Sequence, residues 1–72
     1  MTFNQLLSFV NVVESGSFLK AAETMFISSQ ALNQQINNLE EELGCKLLVR
    51  STRGVALTSA GSRLYDGSKE IL

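Results

Sequence analysis

The sequence predicts a mainly α-helical domain in which three packed helices precede a two-stranded hairpin and the start of a fourth helix. Three observations carry this reading. Apolar residues recur at helical spacing in successive segments, each preceded by a Ser or Thr suited to cap it. The turn-rich run Ser51, Thr52, Arg53, Gly54 separates two short β-prone runs. The length of 72 residues, 44% of them hydrophobic, fits one small core and leaves no room for a second.

Residues 3–15 place Phe3, Leu6, Leu7, Val10 and Val13 at helical spacing, with Thr2 and Gln5 as a capping box and Gly16 as a stop. Ser17 caps a short second helix, FLKAAETMF, whose buried stripe is Ala21, Ala22 and Met25; the paired alanines allow a close helix approach. Ser28 caps a third helix from Ser29 to Leu43, in which Leu32, Ile36, Leu39 and Leu43 form one apolar face. The same spacing suits a coiled-coil seam, but that needs about three or four sustained heptads and this segment is too short. Gly44 ends the helix, and the hairpin runs are Leu47 to Arg50 and Val55 to Leu57. Thr58 caps a last amphipathic segment with Ala60, Leu64, Ser68 and Ile71 on one side, and Gly67 weakens it by ~1 kcal/mol relative to Ala. With a tight turn between the second and third helices, this is the layout of a winged helix-turn-helix: three-helix core, two-stranded wing and the start of a fourth helix. Residues 1–58 make the domain proper and 59–72 begin that last helix.

Composition excludes several classes. The single cysteine, Cys45, has no disulfide partner and is expected as a small buried hydrophobe. Without histidine there is no transition-metal set and no usual general base, and Glu40, Glu41 and Glu42 cluster without a nucleophile, so no enzyme, metal or cofactor is expected. No apolar run approaches the ~20 residues of a membrane span and the N-terminus has no signal-peptide pattern, which leads to the expectation of a cytoplasmic protein. The net charge of −1 is unevenly spread. Residues 1–42 carry one Lys against five acids, whereas residues 43–72 carry five basic residues against two acids.

The run SGSFLKAAETMFISSQALNQQINNLEEELGCKLLVRSTRGVALTSAG resembles the N-terminal signature of LysR-type transcriptional regulators, with Phe9, Gly16, Phe18, Ala21, Ala22, Ser28, Leu32, Gln35, Leu39, Gly44, Arg50, Gly54 and Thr58 among the matching positions. The resemblance implies sequence-specific binding of double-stranded DNA, with the third helix in the major groove and the wing toward the minor groove. It also implies that residues 59–72 are the start of a linker or dimerisation helix, through which a homodimer forms in a longer protein. An effector domain follows in that family; it is absent from this chain, and a small-molecule effector is expected only for it. The chain departs from the family in having Ser29 and Gln30 in place of the common Gln-Pro, Asn33 and Gln34 in place of Ser-Arg, and Asn37 and Asn38 where basic residues are frequent.

With the apolar face buried, the 3.6-residue period puts Gln30, Gln34, Asn37 and Asn38 opposite it and Asn33 at its edge. Such amides present a donor and an acceptor together and match adenine N6 and N7; the alternative is a merely solvated polar face. Glu40, Glu41 and Glu42 oppose both the helix dipole and phosphate, so they are expected away from DNA. The helix then docks by its N-terminus, offering Ser28, Ser29 and the first free N–H groups to a phosphate, with Ser28 also a cap. Arg53, at the hairpin turn beside Gly54, is placed for a narrow A·T minor groove. Arg50 either joins it or pairs with a carboxylate of the neighbouring helix. Lys20, Lys46 and Arg63 are candidate phosphate contacts. The competing function is a winged-helix protein-interaction module with little DNA affinity, favoured by the negative net charge.

Overall fold

A computed structural model describes residues 1–71. Its elements follow in the order α1 (Phe3–Ser15), α2 (Phe18–Met25), α3 (Ser29–Leu43), β1 (Leu48–Ser51), β2 (Gly54–Leu57) and α4 (Ser59–Ile71). The local chemistry sets these boundaries. Thr2 and Gln5 close a reciprocal capping box on α1, and Gly16 ends it in the left-handed region at φ 71°. Ser17 accepts from the Lys20 N–H at the start of α2, and Ser28 accepts from the Ala31 N–H at the start of α3. Thr58 Oγ1 accepts from the Gly61 N–H at 3.0 Å, capping α4. The strands pair antiparallel in the register Leu48↔Leu57 to Ser51↔Gly54, one residue later at the first strand and one earlier at the second than the sequence predicts.

α1, α2 and α3 pack on one another, and β2 and α4 close against α1. Phe9, Val12, Leu32, Ile36, Leu39 and Leu47 form the centre of the core. On α1 the buried arc is wider than the expected stripe and rotated from it. Leu6, Ser8, Phe9, Val10 and Val12 are buried because neighbours cover the helix on several sides, whereas Phe3 lies on the open flank. The buried Ser8 hydroxyl donates to Gln35 Oε1, joining α1 to α3 through the amide of a core-facing residue.

Three further expectations are corrected. Leu43 is 42% exposed: the helix's last turn overruns the core, and only Leu32, Ile36 and Leu39 of the apolar face are enclosed. Cys45 is exposed, because the left-handed turn at Gly44 (φ 73°) carries the chain outward before Leu47 and Leu48 return to the interior. Glu40 is not a solvated member of an acidic run. It is only 8% exposed, and its Oε2 accepts from the backbone N–H groups of Leu47 at 2.8 Å and Leu48 at 3.2 Å. It thereby satisfies two donors of the incoming strand that no ladder partner reaches.

α4 follows the expected amphipathic side except at its end. Ser68 is buried and donates to the Leu64 carbonyl at 2.6 Å, while Ala60 and Leu64 pack against the domain's own core; Ile71 is exposed and Leu72 lies outside the described residues. The side formed by Ala60, Leu64 and Ser68 is therefore used within the chain, and Ile71 alone of the four is left out. At its start α4 touches the root of the wing: a β-carbon at Gly61 would collide with the Leu47 carbonyl, so only glycine fits. No helix among the described residues is long and apolar enough to cross a membrane.

Candidate nucleic-acid interface

The outer face of α3 is built from amides. Gln30, Gln34, Asn37 and Asn38 are exposed and Asn33 is half-buried, as the period of the helix requires once Leu32, Ile36 and Leu39 face inward. Two of these amides are held. Asn33 Nδ2 donates to the Ser29 carbonyl at 3.0 Å, and Gln34 Nε2 donates to Asn38 Oδ1 at 2.9 Å. At the N-terminal end Ser28 is exposed with its hydroxyl oxygen engaged as the cap, while Ser29 is half-buried.

The wing stands beside this face. Between α3 and β1 lies a polar groove of about 350 Å³ lined by Asn33, Asn37, Glu40, Lys46 and Arg50, together with Ile36 and Leu48. Two predicted readers on the helix and one predicted arginine on the wing are thus brought to one depression. Lys46 Nζ sits 3.6 Å from Glu40 Oε1, so its charge is partly compensated there.

Arg50 follows neither expected arrangement alone. Its guanidinium lies 3.8 Å from the centroid of the Phe18 ring at the start of α2, a cation–π contact that anchors the strand to that helix. It makes no ion pair among the described residues, because Glu40, the carboxylate of α3 nearest the strand, is committed to Lys46 and two backbone N–H groups. The guanidinium edges remain available at the groove.

Arg53 lies at the tip, exposed and without an ion pair among the described residues; its backbone N–H donates to Ser51 Oγ at 3.2 Å, which tightens the turn. Gly54 takes φ 117°, a conformation other residues rarely adopt, and approaches the Gly16 carbonyl so closely that a β-carbon would sit 3.2 Å from it. The wing tip is thus seated on the α1–α2 junction. Lys20 is exposed on the first turn of α2, two residues beyond Phe18. Glu41 continues the outer stripe of α3 at its C-terminal end, and Glu42 pairs with the Met1 ammonium. The negative end of the helix is thus distant from Ser28 and Ser29, but Glu40 shares the groove with Asn33, Asn37 and Arg50 and Glu41 lies one turn beyond Asn37, so the acids are not all set apart from the amides.

Two contributors were not singled out by sequence reasoning. The Phe18 platform under Arg50 depends on a long-range approach with no local signature. The Gln34–Asn38 pair has one, the i, i+4 spacing of two amides on a helix face.

A wing basic at its tip, set against a helix whose outer face carries hydrogen-bonding amides in place of charge, defines a winged helix-turn-helix of the kind that reads nucleic acid. Comparison with known proteins makes this specific. The chain belongs to the lysR family of bacterial regulatory helix-turn-helix proteins, whose family model matches residues 3–62. It is 46% identical over all 72 residues to the nitrogen assimilation regulatory protein nac of Escherichia coli (strain K12), of which it spans 24%. Among solved structures, it superposes on the BenM_DBD/catB site 1 DNA complex with a TM-score of 0.94 at 44% identity, covering 99% of this chain and 80% of that one. For the CbnR_DBD–DNA complex the TM-score is 0.92 at 38% identity, with 99% and 82% covered. The chain therefore spans about a quarter of the length of its curated relative.

Proposed function

We propose that this chain is the DNA-binding part of a bacterial transcriptional regulator and that it recognises double-stranded DNA by sequence, not as a protein-interaction winged helix. The observation that carries the proposal is the groove that brings Asn33 and Asn37 of α3 beside Arg50 of the wing. Membership of the family and the two structural neighbours solved on DNA support it. In this reading α3 lies in the major groove with its N-terminus foremost. Ser28 and Ser29 sit at a phosphate, Gln30, Asn33, Gln34 and Asn37 meet base edges, and Arg53 reaches the adjacent minor groove. Arg50, braced on Phe18, and Lys20 meet the backbone. Residues 59–72 begin a helix through which two copies pair in the longer, cytoplasmic protein, and any small-molecule effector is bound outside this domain. The relatives are regulators by name, and the chain has no part in catalysis in this proposal.

The net charge of −1 does not oppose this, because Arg50 and Arg53 of the wing are exposed and make no ion pair among the described residues. The test is a salt titration of affinity for duplex DNA selected from a random-sequence pool. The logarithm of the association constant should fall by about 0.9 per neutralised phosphate for each unit of log salt. Arg53→Ala should weaken binding with an unaltered far-UV circular dichroism spectrum. A pool from which no sequence is enriched would return the protein-interaction reading to first place.

A further inference from the structure

We infer that Asn38 is a positioning residue for base recognition: it holds the Gln34 amide on the outer face of α3 and couples its turning to its own, so that Gln34 meets an adenine already in place. This rests on the proposed DNA-binding reading and goes beyond it, since Asn38 itself need touch no base. Gln34 and Asn38 lie one helical turn apart on the exposed face of α3, and Gln34 Nε2 donates to Asn38 Oδ1 at 2.9 Å.

The stereochemistry of an amide makes this contact consequential. Its nitrogen carries two hydrogens, one on the carbonyl side and one opposite. A bidentate pair with adenine uses the carbonyl oxygen as acceptor from N6 and one hydrogen as donor to N7. The second hydrogen is surplus to the base, and Asn38 Oδ1 is an acceptor within reach for it. With that hydrogen engaged, Gln34 can turn its amide end for end only if Asn38 turns with it, so the two orientations are coupled. The Gln34 side chain is then held on the outer face before DNA arrives, and less side-chain freedom is lost on binding. A glutamine free to flip would instead present either polarity, and would accept a guanine or thymine edge with less penalty.

The second held amide shows that this is not simply what every side chain on the face does. Asn33 is tied to a backbone carbonyl, that of Ser29, whereas Gln34 is tied to a side chain that a substitution can remove. Gln34 is thus the reader whose orientation the sequence can tune, and residue 38 is where the tuning occurs.

The experiment uses the chain as it stands and the duplex it selects from random-sequence DNA. Affinity is measured for that duplex and for the three alternatives at each base pair, giving a discrimination ratio per position. Gln34→Ala should reduce the ratio at one A·T pair by roughly 5- to 100-fold. Asn38→Ala should reduce the ratio severalfold at that same pair and should add nothing in a Gln34→Ala background, as for a residue that acts through another. Asn38→Asp keeps the acceptor and forbids the reverse orientation. It should retain the discrimination while weakening every sequence evenly through its added charge. Melting midpoints of the variants check that the fold is intact. The inference is overturned if Asn38→Ala leaves every ratio unchanged, if it relaxes a different base pair independently of Gln34, or if Asn38→Asp loses the adenine preference. Absence of any selected duplex for the unaltered chain is a separate outcome: it removes the DNA-binding reading itself, and this inference with it.

Discussion

Phe26 sits at φ 59°, ψ 39°, closing α2 in a left-handed conformation, and its side chain is 95% exposed. The backbone there favours Asn or Gly, and a bulky L-residue costs about 1–2 kcal/mol in it with no burial to offset the cost. Phe26→Asn should therefore raise stability by about 0.5–1 kcal/mol, read as a higher urea midpoint at unchanged slope. A lower midpoint would mean that the ring makes a stabilising contact. Glu40 is the opposite case, a polar residue whose burial is fully compensated. Removing its carboxylate leaves the Leu47 and Leu48 N–H groups without an acceptor, so Glu40→Ala should cost about 2–4 kcal/mol. Glu40→Gln, which keeps an acceptor oxygen, should cost less. Equal losses for the two substitutions would assign the effect to charge and not to hydrogen bonding.

The elements themselves were largely legible in the sequence, because their ends are set by short-range chemistry. Thr2 with Gln5, Gly16, Ser17, Ser28, Gly44 and Thr58 each act within three or four residues, and each marks the boundary that the structure shows. What was not legible depends on partners distant in sequence. Periodicity locates an apolar side of α1 but not the extra sides that α2, α3 and α4 cover, so its stripe misses Phe9 and Val12 and takes in Phe3. Composition treated Cys45 as a hydrophobe without knowing that the chain leaves the core at Gly44. The period of α3 places its amide face, whereas of the two alternatives for Arg50 the carboxylate pair is not formed, since Glu40 is committed to Lys46 and the arginine stacks on Phe18. α4 supplies a test at this scale, since it contains two glycines in different surroundings. Around Gly67 there is open space, so Gly67→Ala should stabilise the domain by about 0.5–1 kcal/mol through helix propensity. Gly61→Ala places a β-carbon on the Leu47 carbonyl and should destabilise by about 2 kcal/mol or more. Calorimetric melting of the two variants should move in opposite directions; a shift of the same sign for both would contradict the close approach of α4 to the wing root.

As a whole the molecule carries six basic residues against seven acidic ones, so a single copy can neutralise few phosphates and has little electrostatic affinity to draw on. Joining two copies makes the second contact intramolecular, with a gain of roughly 10² to 10⁴ in avidity when geometry permits. A version dimerised by a coiled coil appended after residue 72 should bind a two-fold-symmetric duplex far more tightly than the single chain, yet bind an isolated half-site with nearly the same affinity. Equal gains on both duplexes would point to a general increase in charge contacts and not to paired recognition. What such a pair would transmit follows from the base of the wing. The Thr58 N–H donates to the Leu47 carbonyl, Thr58 Oγ1 donates to the Lys46 carbonyl, and Gly61 lies flush against Leu47. Three joints within four residues leave no hinge between the first turn of α4 and the strand that follows α3. The domain and the beginning of that helix therefore turn together, like a key and its shaft. A change in the angle between two such shafts would be felt at the DNA as a change in the distance between the keys, with no part of either key having altered its shape.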